Sequence, residues 1–246
     1  MHRLLSLSEL IRDSWATYIR TWHKTLHLTS WFLILPLISF VLVLGTRSSE
    51  ETSQALFGAL SIVQFLLILW VTVRLYRWLL VQEKHIPEPA DEARTAWMLV
   101  LPLLWTSSLK GLAVIGGLMV FFFPAIWLAV LLQFSELFLI GEGLRGTQAL
   151  AASYHLVKGR WWEVFWRLIV PGTFFLIVSI LLMSLFVNIV SLLAGQAKTQ
   201  FIFTATAPSA LIDAARQLLE GFAQMIFLPL FLIWQVKLFR SLKETR

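Results

Sequence analysis

The sequence predicts an all-α membrane protein with six transmembrane helices, two interfacial amphipathic helices and a parallel internal repeat. Of its 246 residues, 58% are hydrophobic and only 14% are charged, whereas a soluble domain carries about 25% charged residues. Long apolar stretches recur along the chain, and most Lys and Arg fall in every second polar segment between them. An apolar surplus of this size predicts helices buried in lipid.

Six apolar stretches are each long enough, or nearly long enough, to cross a hydrocarbon layer of about 30 Å as an α-helix. These stretches are 26–44, 55–73, 96–120, 124–140, 168–193 and 218–236. The third is the least regular, because Pro102 and the polar run 106–108 interrupt it and prolines kink helices. The predicted number of spans is six whether or not that helix is kinked.

The distribution of basic residues predicts the orientation. If the N-terminus lies in the cytoplasm, sixteen of the twenty Lys and Arg are cytoplasmic, three are outside and one, Lys110, lies within a span. The positive-inside rule favours this arrangement over its inverse. Six spans then place the C-terminus in the cytoplasm as well. The net charge of +6 therefore reflects membrane orientation, and we expect no nucleic-acid partner.

Two segments outside the spans have the amphipathic pattern of helices that lie in the membrane interface. In each, apolar and aromatic residues share one face and charged residues lie away from it. The stripe of the first segment is Leu7, Ile11, Trp15, Tyr18 and Trp22, and that of the second is Leu150, Tyr154, Val157 and Trp161.

The two amphipathic segments are also similar to each other. At an offset of 139 residues, Ser8, Ile11, Ser14, Trp15, Tyr18 and Trp22 correspond to Thr147, Leu150, Ser153, Tyr154, Val157 and Trp161. A second similarity relates 73–79 to 236–242. We interpret the chain as one integral membrane domain, 1–246, with a first unit (1–81), a central hairpin (94–141) and a second unit (147–246). Chance similarity between apolar segments is the alternative interpretation.

A resemblance to a known family rests on three short motifs. Residues 123–126 read Phe-Pro-Ala-Ile, 141–143 read Gly-Glu-Gly, and 149–160 read Ala-Leu-Ala-Ala-Ser-Tyr-His-Leu-Val-Lys-Gly-Arg. This order resembles the membrane domain of some bacterial glycerophosphoryl diester phosphodiesterases and the YciC-like inner-membrane proteins, although Ala125 stands where that family usually has glycine. The resemblance implies a six-helix protein of the bacterial inner (plasma) membrane, and it implies no mechanism.

Lys110 in span three, Glu136 in span four and Asn188 in span five form a candidate intramembrane polar site, because ionisable groups inside a membrane are costly. Lys110 and Glu136 can pair if span three begins near Trp105, whereas an earlier start brings Lys110 closer to the outer surface. The simpler interpretation is a snorkelling lysine and an interfacial carboxylate. For Asn188 it is a hydrogen bond between helices.

Six cations at the predicted cytoplasmic ends of the helices are candidate contacts for lipid headgroups. They are Arg74, Arg77, Lys158, Arg160, Lys237 and Arg240. A cation at headgroup depth gains about 1 kcal/mol near anionic lipid. The expected partners are therefore anionic phospholipids of the cytoplasmic leaflet, although such a belt also serves simple anchoring.

The sequence contains no catalytic, cofactor-binding or metal-binding motif. It has no cysteine and no nucleotide-binding or hydrolase pattern, and His23 and His27 have no third ligand near them. We therefore expect a non-catalytic, lipid-interacting scaffold or partner in envelope or lipid maintenance, a role compatible with a protein partner or a homo-oligomer. The alternative is a transporter or permease component for a small molecule or lipid.

Overall fold

The computed structural model describes residues 4–45, 50–83, 91–193 and 210–245. Within these ranges every regular element is helical. Six segments are long and apolar enough to cross a membrane: Leu7–Leu42, Gly58–Gln82, Ala93–Val120, Phe122–Glu142, Trp161–Phe186 and Arg216–Glu244. The predicted all-α membrane fold with six spans is confirmed.

The predicted elements correspond to nine α-helices in the described ranges. The first amphipathic segment is α1 (Leu7–Thr29), which a 3₁₀ turn (Ser30–Leu33) joins to α2 (Ile34–Gly45). Spans two to four are α3 (Glu50–Gln82), α4 (Glu92–Val120), and the pair α5 (Phe122–Leu131) and α6 (Ser135–Glu142). The second amphipathic segment is α7 (Thr147–Val157), and the last spans are α8 (Trp161–Leu193) and α9 (Ala210–Glu244).

The predicted apolar stripe of α1 points away from the rest of the protein. Ile11 and Trp15 are 49% and 53% exposed, whereas Leu10, Ser14 and Thr17 are buried. A helix that turns its aromatic face outward and its small polar residues inward is suited to lipid on the outer side. α1 continues to Thr29, so it overlaps the start of the predicted first span.

The chain forms two compact units, named unit 1 and unit 2, whose residues differ from those of the predicted repeat units 1–81 and 147–246. Unit 1 comprises Met1–Thr25, Leu69–Pro171 and Pro229–Arg246, and unit 2 comprises Leu26–Ile68 and Gly172–Leu228. Each boundary falls inside a helix. Two of the boundaries fall at prolines, Pro171 in α8 and Pro229 in α9.

The core of unit 1 lies where α6, α7 and the end of α9 meet. The ring of Phe239 is 5.0 Å from that of Phe138 and 6.0 Å from that of Phe134 between centroids, and all three are buried. Ala149 and Val157 of α7 are fully buried as well. Span four, which contains α6, is the most buried of the six spans. It is therefore a central helix of the unit.

Span four is interrupted, which the sequence analysis did not anticipate. Between α5 and α6 the N–H of Phe134 donates to the hydroxyl oxygen of Ser153 (3.1 Å), and that hydroxyl donates to the carbonyl of Leu131 (2.7 Å). Ser153 lies on α7 and is fully buried. One side chain thus provides partners for two backbone groups that the break leaves without helical partners, as a low-dielectric environment requires.

Three of the prolines inside helices leave a carbonyl without its helical partner, and a side chain from another part of the chain donates to that carbonyl. Proline has no N–H, so the carbonyl four residues before it loses its helical partner. For Pro171, Pro229 and Pro36 that carbonyl accepts a hydrogen bond from a distant side chain. The pairs are Arg167 with Trp234 (2.8 Å), Met225 with Thr29 (3.0 Å) and Phe32 with Gln64 (3.4 Å).

The two segments with internal sequence similarity have matching burial. Leu10, Ser14 and Thr17 of α1 are buried, and so are their counterparts at the 139-residue offset, Ala149, Ser153 and Leu156. Likewise Val73, Leu75, Tyr76 and Leu79 are buried together with Val236, Leu238, Phe239 and Leu242. This agreement is compatible with duplication of 1–81 and 147–246, which stays a prediction.

Replacing Ser153 with Ala is expected to destabilise the protein by about 1–3 kcal/mol, since it leaves two buried backbone groups unsatisfied. The measurement is detergent-solubilised unfolding followed by circular dichroism. Ser14→Ala is the matched control, because Ser14 is equally buried and its hydroxyl has no hydrogen-bond partner among the described residues. Equal effects of the two substitutions would contradict the bridging role of Ser153.

Candidate functional site

The structure joins two of the three predicted intramembrane residues in an ion pair. The ammonium nitrogen of Lys110 in α4 is 3.0 Å from Oε1 of Glu136, which lies in the first turn of α6. The hydroxyl of Ser107, one turn before Lys110, donates to the same oxygen at 3.4 Å. The side chains of Lys110 and Glu136 are 21% and 20% exposed. The carboxylate therefore has two donors on α4.

Lys110 and Glu136 pair although span three does not begin near Trp105, the start on which the predicted pairing depended. α4 begins at Glu92 and extends past the end of α6. The hydroxyl of Thr106 accepts from the N–H of Gly146 (3.1 Å), in the loop that follows α6. Lys110, one turn further along α4, then lies beside the first turn of α6. The packing of α4 against α6 and the loop that follows it thus determines which residues of the two helices lie side by side.

Gly146 holds the loop against α4 through a backbone conformation that needs glycine. Its φ is +52°, which side chains other than glycine rarely adopt. A Cβ at this position would also lie 3.2 Å from the indole nitrogen of Trp105. The close approach of loop and helix keeps Thr106 and Gly146 in hydrogen-bond contact.

A second polar contact in the spans of unit 1 joins α3 to α9. The hydroxyl of Tyr76 donates to the side-chain oxygen of Gln235, and both residues are buried. Two glutamines of the spans, Gln64 and Gln235, therefore make hydrogen bonds between helices, as is usual for amides in membrane spans.

Asn188, the third predicted residue, belongs to unit 2. Its amide donates to the carbonyl of Ser184 within α8 (2.7 Å), and its side chain is exposed. Lys110 and Glu136 belong to unit 1. The structure therefore brings together two of the three predicted residues, and Ser107, which the sequence analysis did not select, joins them.

Among the six predicted headgroup cations, Arg160 and Arg240 bind the ends of other elements of unit 1. Arg160 donates to the hydroxyl and the carbonyl of Thr245, at the end of α9. Arg240 pairs with Glu83 at the end of α3 and with Glu244. These contacts fasten the C-terminal end of α9 to α3 and to the α7–α8 turn.

A further ion pair, at the C-terminal end of α9, was not predicted from the sequence. Lys243 pairs with Glu142, the last residue of α6, and its ammonium lies 5.3 Å from the ring centroid of Phe239. Arg167 donates to the carbonyl of Leu5 (3.0 Å). The segment before α1 is held here as well, since the N–H of Leu5 donates to the Ser241 hydroxyl (3.1 Å).

The other four predicted cations lie among aromatic side chains or are half-buried. The guanidinium of Arg74 is 4.9 Å from the ring centroid of Trp70, which stacks on Trp97 at 5.7 Å. Lys158 is exposed and lies 5.5 Å from the ring centroid of Tyr154. Arg77 and Lys237 are half-buried.

In the part of the chain that the structure describes, no three His, Asp or Glu side chains are grouped as metal ligands. His23 packs on Trp22, with ring centroids 4.2 Å apart. Among the residues predicted from the sequence, two groups remain as candidates. One is the Lys110–Glu136–Ser107 cluster, and the other is the basic-aromatic surface of unit 1, which comprises Arg74, Lys158, Trp70, Trp97 and Tyr154.

The Lys110–Glu136 pair is expected to show strong energetic coupling. Lys110→Met or Glu136→Gln alone leaves one half-buried charge without its partner, at a cost of about 1–3 kcal/mol, and the double variant should lose less than the sum. Unfolding of the unaltered protein, the two single variants and the double variant in detergent measures this double-mutant cycle. Arg216 and Glu220, an exposed pair one turn apart, provide a control cycle with an expected coupling of about 0.3–0.5 kcal/mol. Additive effects at Lys110 and Glu136 would contradict the coupling.

Comparison with known proteins does not assign a family. No family model matches the chain, and neither a curated protein nor a solved structure is significantly similar to it. The resemblance to the YciC-like membrane domains therefore stays a prediction from residues 120–171. What is established is a polytopic all-α membrane protein with six candidate spans.

Proposed function

We propose that this protein is a non-catalytic scaffold of the bacterial inner membrane that binds anionic phospholipid at the cytoplasmic side of unit 1. The observation that carries the proposal is the segregation of charge and tryptophan between the compact units. Of the residues that the structure describes, unit 1 contains fourteen of the fifteen Lys and Arg and eleven of the twelve Trp. Unit 2 contains Arg216 and Trp31.

The electrostatic consequence of this segregation is large. Among the same described residues, unit 1 also holds nine of the thirteen acidic residues, so its formal charge is +5, whereas that of unit 2 is −3. Tryptophan prefers the membrane interface, and basic residues prefer the cytoplasmic side. Both preferences support placing unit 1 at the cytoplasmic interface with both termini inside. Anionic lipids are attracted to such a surface.

Exposed aromatic side chains lie close to cations of unit 1. Trp162 and Trp166 in the first turns of α8 are 60% and 56% exposed, and they follow the exposed Lys158. Trp97, stacked on Trp70 beside Arg74, is 55% exposed. An indole ring at headgroup depth next to a cation can contact both the acyl chain region and the phosphate.

Neutralising Lys158 and Lys237 together by substitution with Gln is expected to weaken retention of anionic phospholipid at least about tenfold, because each charge contributes about 1 kcal/mol at the membrane surface. Native mass spectrometry of protein extracted from its own membrane, followed by titration with phosphatidylglycerol, measures the retention. Arg160 and Arg240 are left unchanged since they fasten α9.

The double variant Lys158→Arg, Lys237→Arg is the control for this experiment, because it alters the same side chains and keeps both charges. It should leave the retention of phosphatidylglycerol unchanged. If the variant Lys158→Gln, Lys237→Gln binds phosphatidylglycerol as well as the unaltered protein does, the lipid-binding part of the proposal is wrong. A protein partner that co-purifies in constant ratio would identify what the scaffold assembles.

A transporter or permease component is the second candidate. The observation in its favour is the Lys110–Glu136–Ser107 cluster inside the spans, next to the break in span four. Broken helices with ionisable groups nearby are typical of substrate and ion sites in transporters. A carboxylate with a lysine partner can change its pairing when a proton or substrate binds.

For the transporter alternative, Glu136→Gln is expected to abolish flux, because the amide keeps the size of the side chain and removes its charge. Flux of protons and of a fluorescent phospholipid is measured in proteoliposomes. Glu163→Gln, at an exposed position in the first turn of α8, is the matched control. Absence of flux with the unaltered protein would contradict this alternative and leave the scaffold.

A further inference from the structure

Unit 2 contains a cavity of about 550 Å³. It lies among α2, the middle of α3 and the first half of α9. Its size falls within the range of about 300–1,000 Å³ that is typical of small-molecule sites. Its lining differs from that of a packing defect, since polar side chains from all three helices meet there: Ser39, Ser61, Gln64, Gln217 and Gln224.

Gln64 has a hydrogen-bond acceptor to offer a ligand. Its amide N–H donates to the carbonyl of Phe32 (3.4 Å), which fixes the orientation of the side chain. Its oxygen, Oε1, is buried and has no hydrogen-bond partner among the described residues. A buried acceptor without a donor costs about 1–3 kcal/mol. Because Gln64 lines the cavity, a small rotation of its amide toward a donor on a ligand would remove this penalty.

The cavity also carries one charge of each sign. Arg216 and Glu220 lie one turn apart on α9 and are 3.0 Å apart between Nε and Oε1, and both line the cavity. A guanidinium matches a phosphate or carboxylate, and a carboxylate matches an ammonium group. Because the two charges cancel, the lining suits a zwitterion better than an anion.

The remaining wall is apolar. It is formed by Leu35, Pro36, Leu60, Phe65 and Ile68. Phe65 is 51% exposed, and its neighbour Ile62, outside the cavity, is 65% exposed. Since these residues lie in predicted membrane spans, hydrocarbon is the medium expected to contact them. The lining thus has a polar, zwitterion-matching part and an apolar part.

We propose that this cavity binds a phospholipid with a zwitterionic headgroup, such as an ethanolamine phospholipid. Arg216 contacts the phosphate, Glu220 and the oxygen of Gln64 accept from the ammonium group, and the apolar wall contacts the proximal part of an acyl chain. This site is distinct from the basic-aromatic surface of unit 1, and it does not depend on the function proposed above.

The test uses the full chain in detergent, titrated with phosphatidylethanolamine and analysed by native mass spectrometry. Ser61→Trp fills the cavity and is expected to weaken binding at least about tenfold. Ile62→Trp adds the same bulk at the adjacent, outward-facing position and should leave binding unchanged. Gln64→Leu and the double variant Arg216→Gln, Glu220→Gln remove the headgroup contacts without adding bulk, and each should also weaken binding.

Phosphatidylethanolamine, phosphatidylglycerol and glycerophosphoethanolamine are the three probes. Together they show whether binding depends on the headgroup, on the acyl chains or on both. Retention of phosphatidylethanolamine that is sensitive to Ser61→Trp and to Gln64→Leu supports the proposal, provided that phosphatidylglycerol is not retained in the same Ser61-dependent way. If water-soluble glycerophosphoethanolamine binds as tightly as the diacyl lipid, the acyl chain contributes nothing and the lipid assignment is wrong. Equal retention by all variants, or none by the unaltered protein, overturns the site.

Discussion

The structure depends most on one constraint: within the apolar spans, every backbone polar group must find a partner inside the protein. Three of the prolines inside helices and one helix break create backbone groups without helical partners, and four side chains form hydrogen bonds with these groups. Trp234, Thr29 and Gln64 donate to the carbonyls that Pro171, Pro229 and Pro36 release. Ser153 serves both sides of the break in span four. These bonds also select which helices are neighbours within each unit.

This constraint helps to separate structural polar residues from candidates for function. A polar side chain that satisfies a backbone group has a sufficient reason to lie in a span, as Thr29 and Ser153 do. The Lys110–Glu136–Ser107 cluster serves no backbone group and keeps two charges partly out of water, which is costly. The cavity of unit 2 has a buried amide oxygen with no partner among the described residues. These two places are where a ligand or proton would change the balance of interactions.

The basic surface of unit 1 combines two roles. Some of its cations, Arg160, Arg240 and Lys243, hold the ends of helices together through ion pairs and hydrogen bonds. Others, such as Lys158, remain exposed beside tryptophan. Exposed ion pairs contribute little to stability individually, but several that converge on the end of α9 restrict its position. A fixed arrangement of cations and indole rings is a suitable surface for lipid headgroups.

The sequence by itself determined the membrane class, the six spans and both amphipathic segments, because hydropathy and helical periodicity are local properties of the chain. It also marked Lys110 and Glu136, since charges in apolar stretches are conspicuous. Only the tertiary structure decided that these two pair, that Ser107 joins them and that Asn188 belongs to the other unit. It also decided the break in span four and the cavity, for which Leu132–Phe134 and Gln64 give no local signal. Such features depend on which faces of different helices meet, and lipid-facing and protein-facing apolar surfaces look alike in a single sequence.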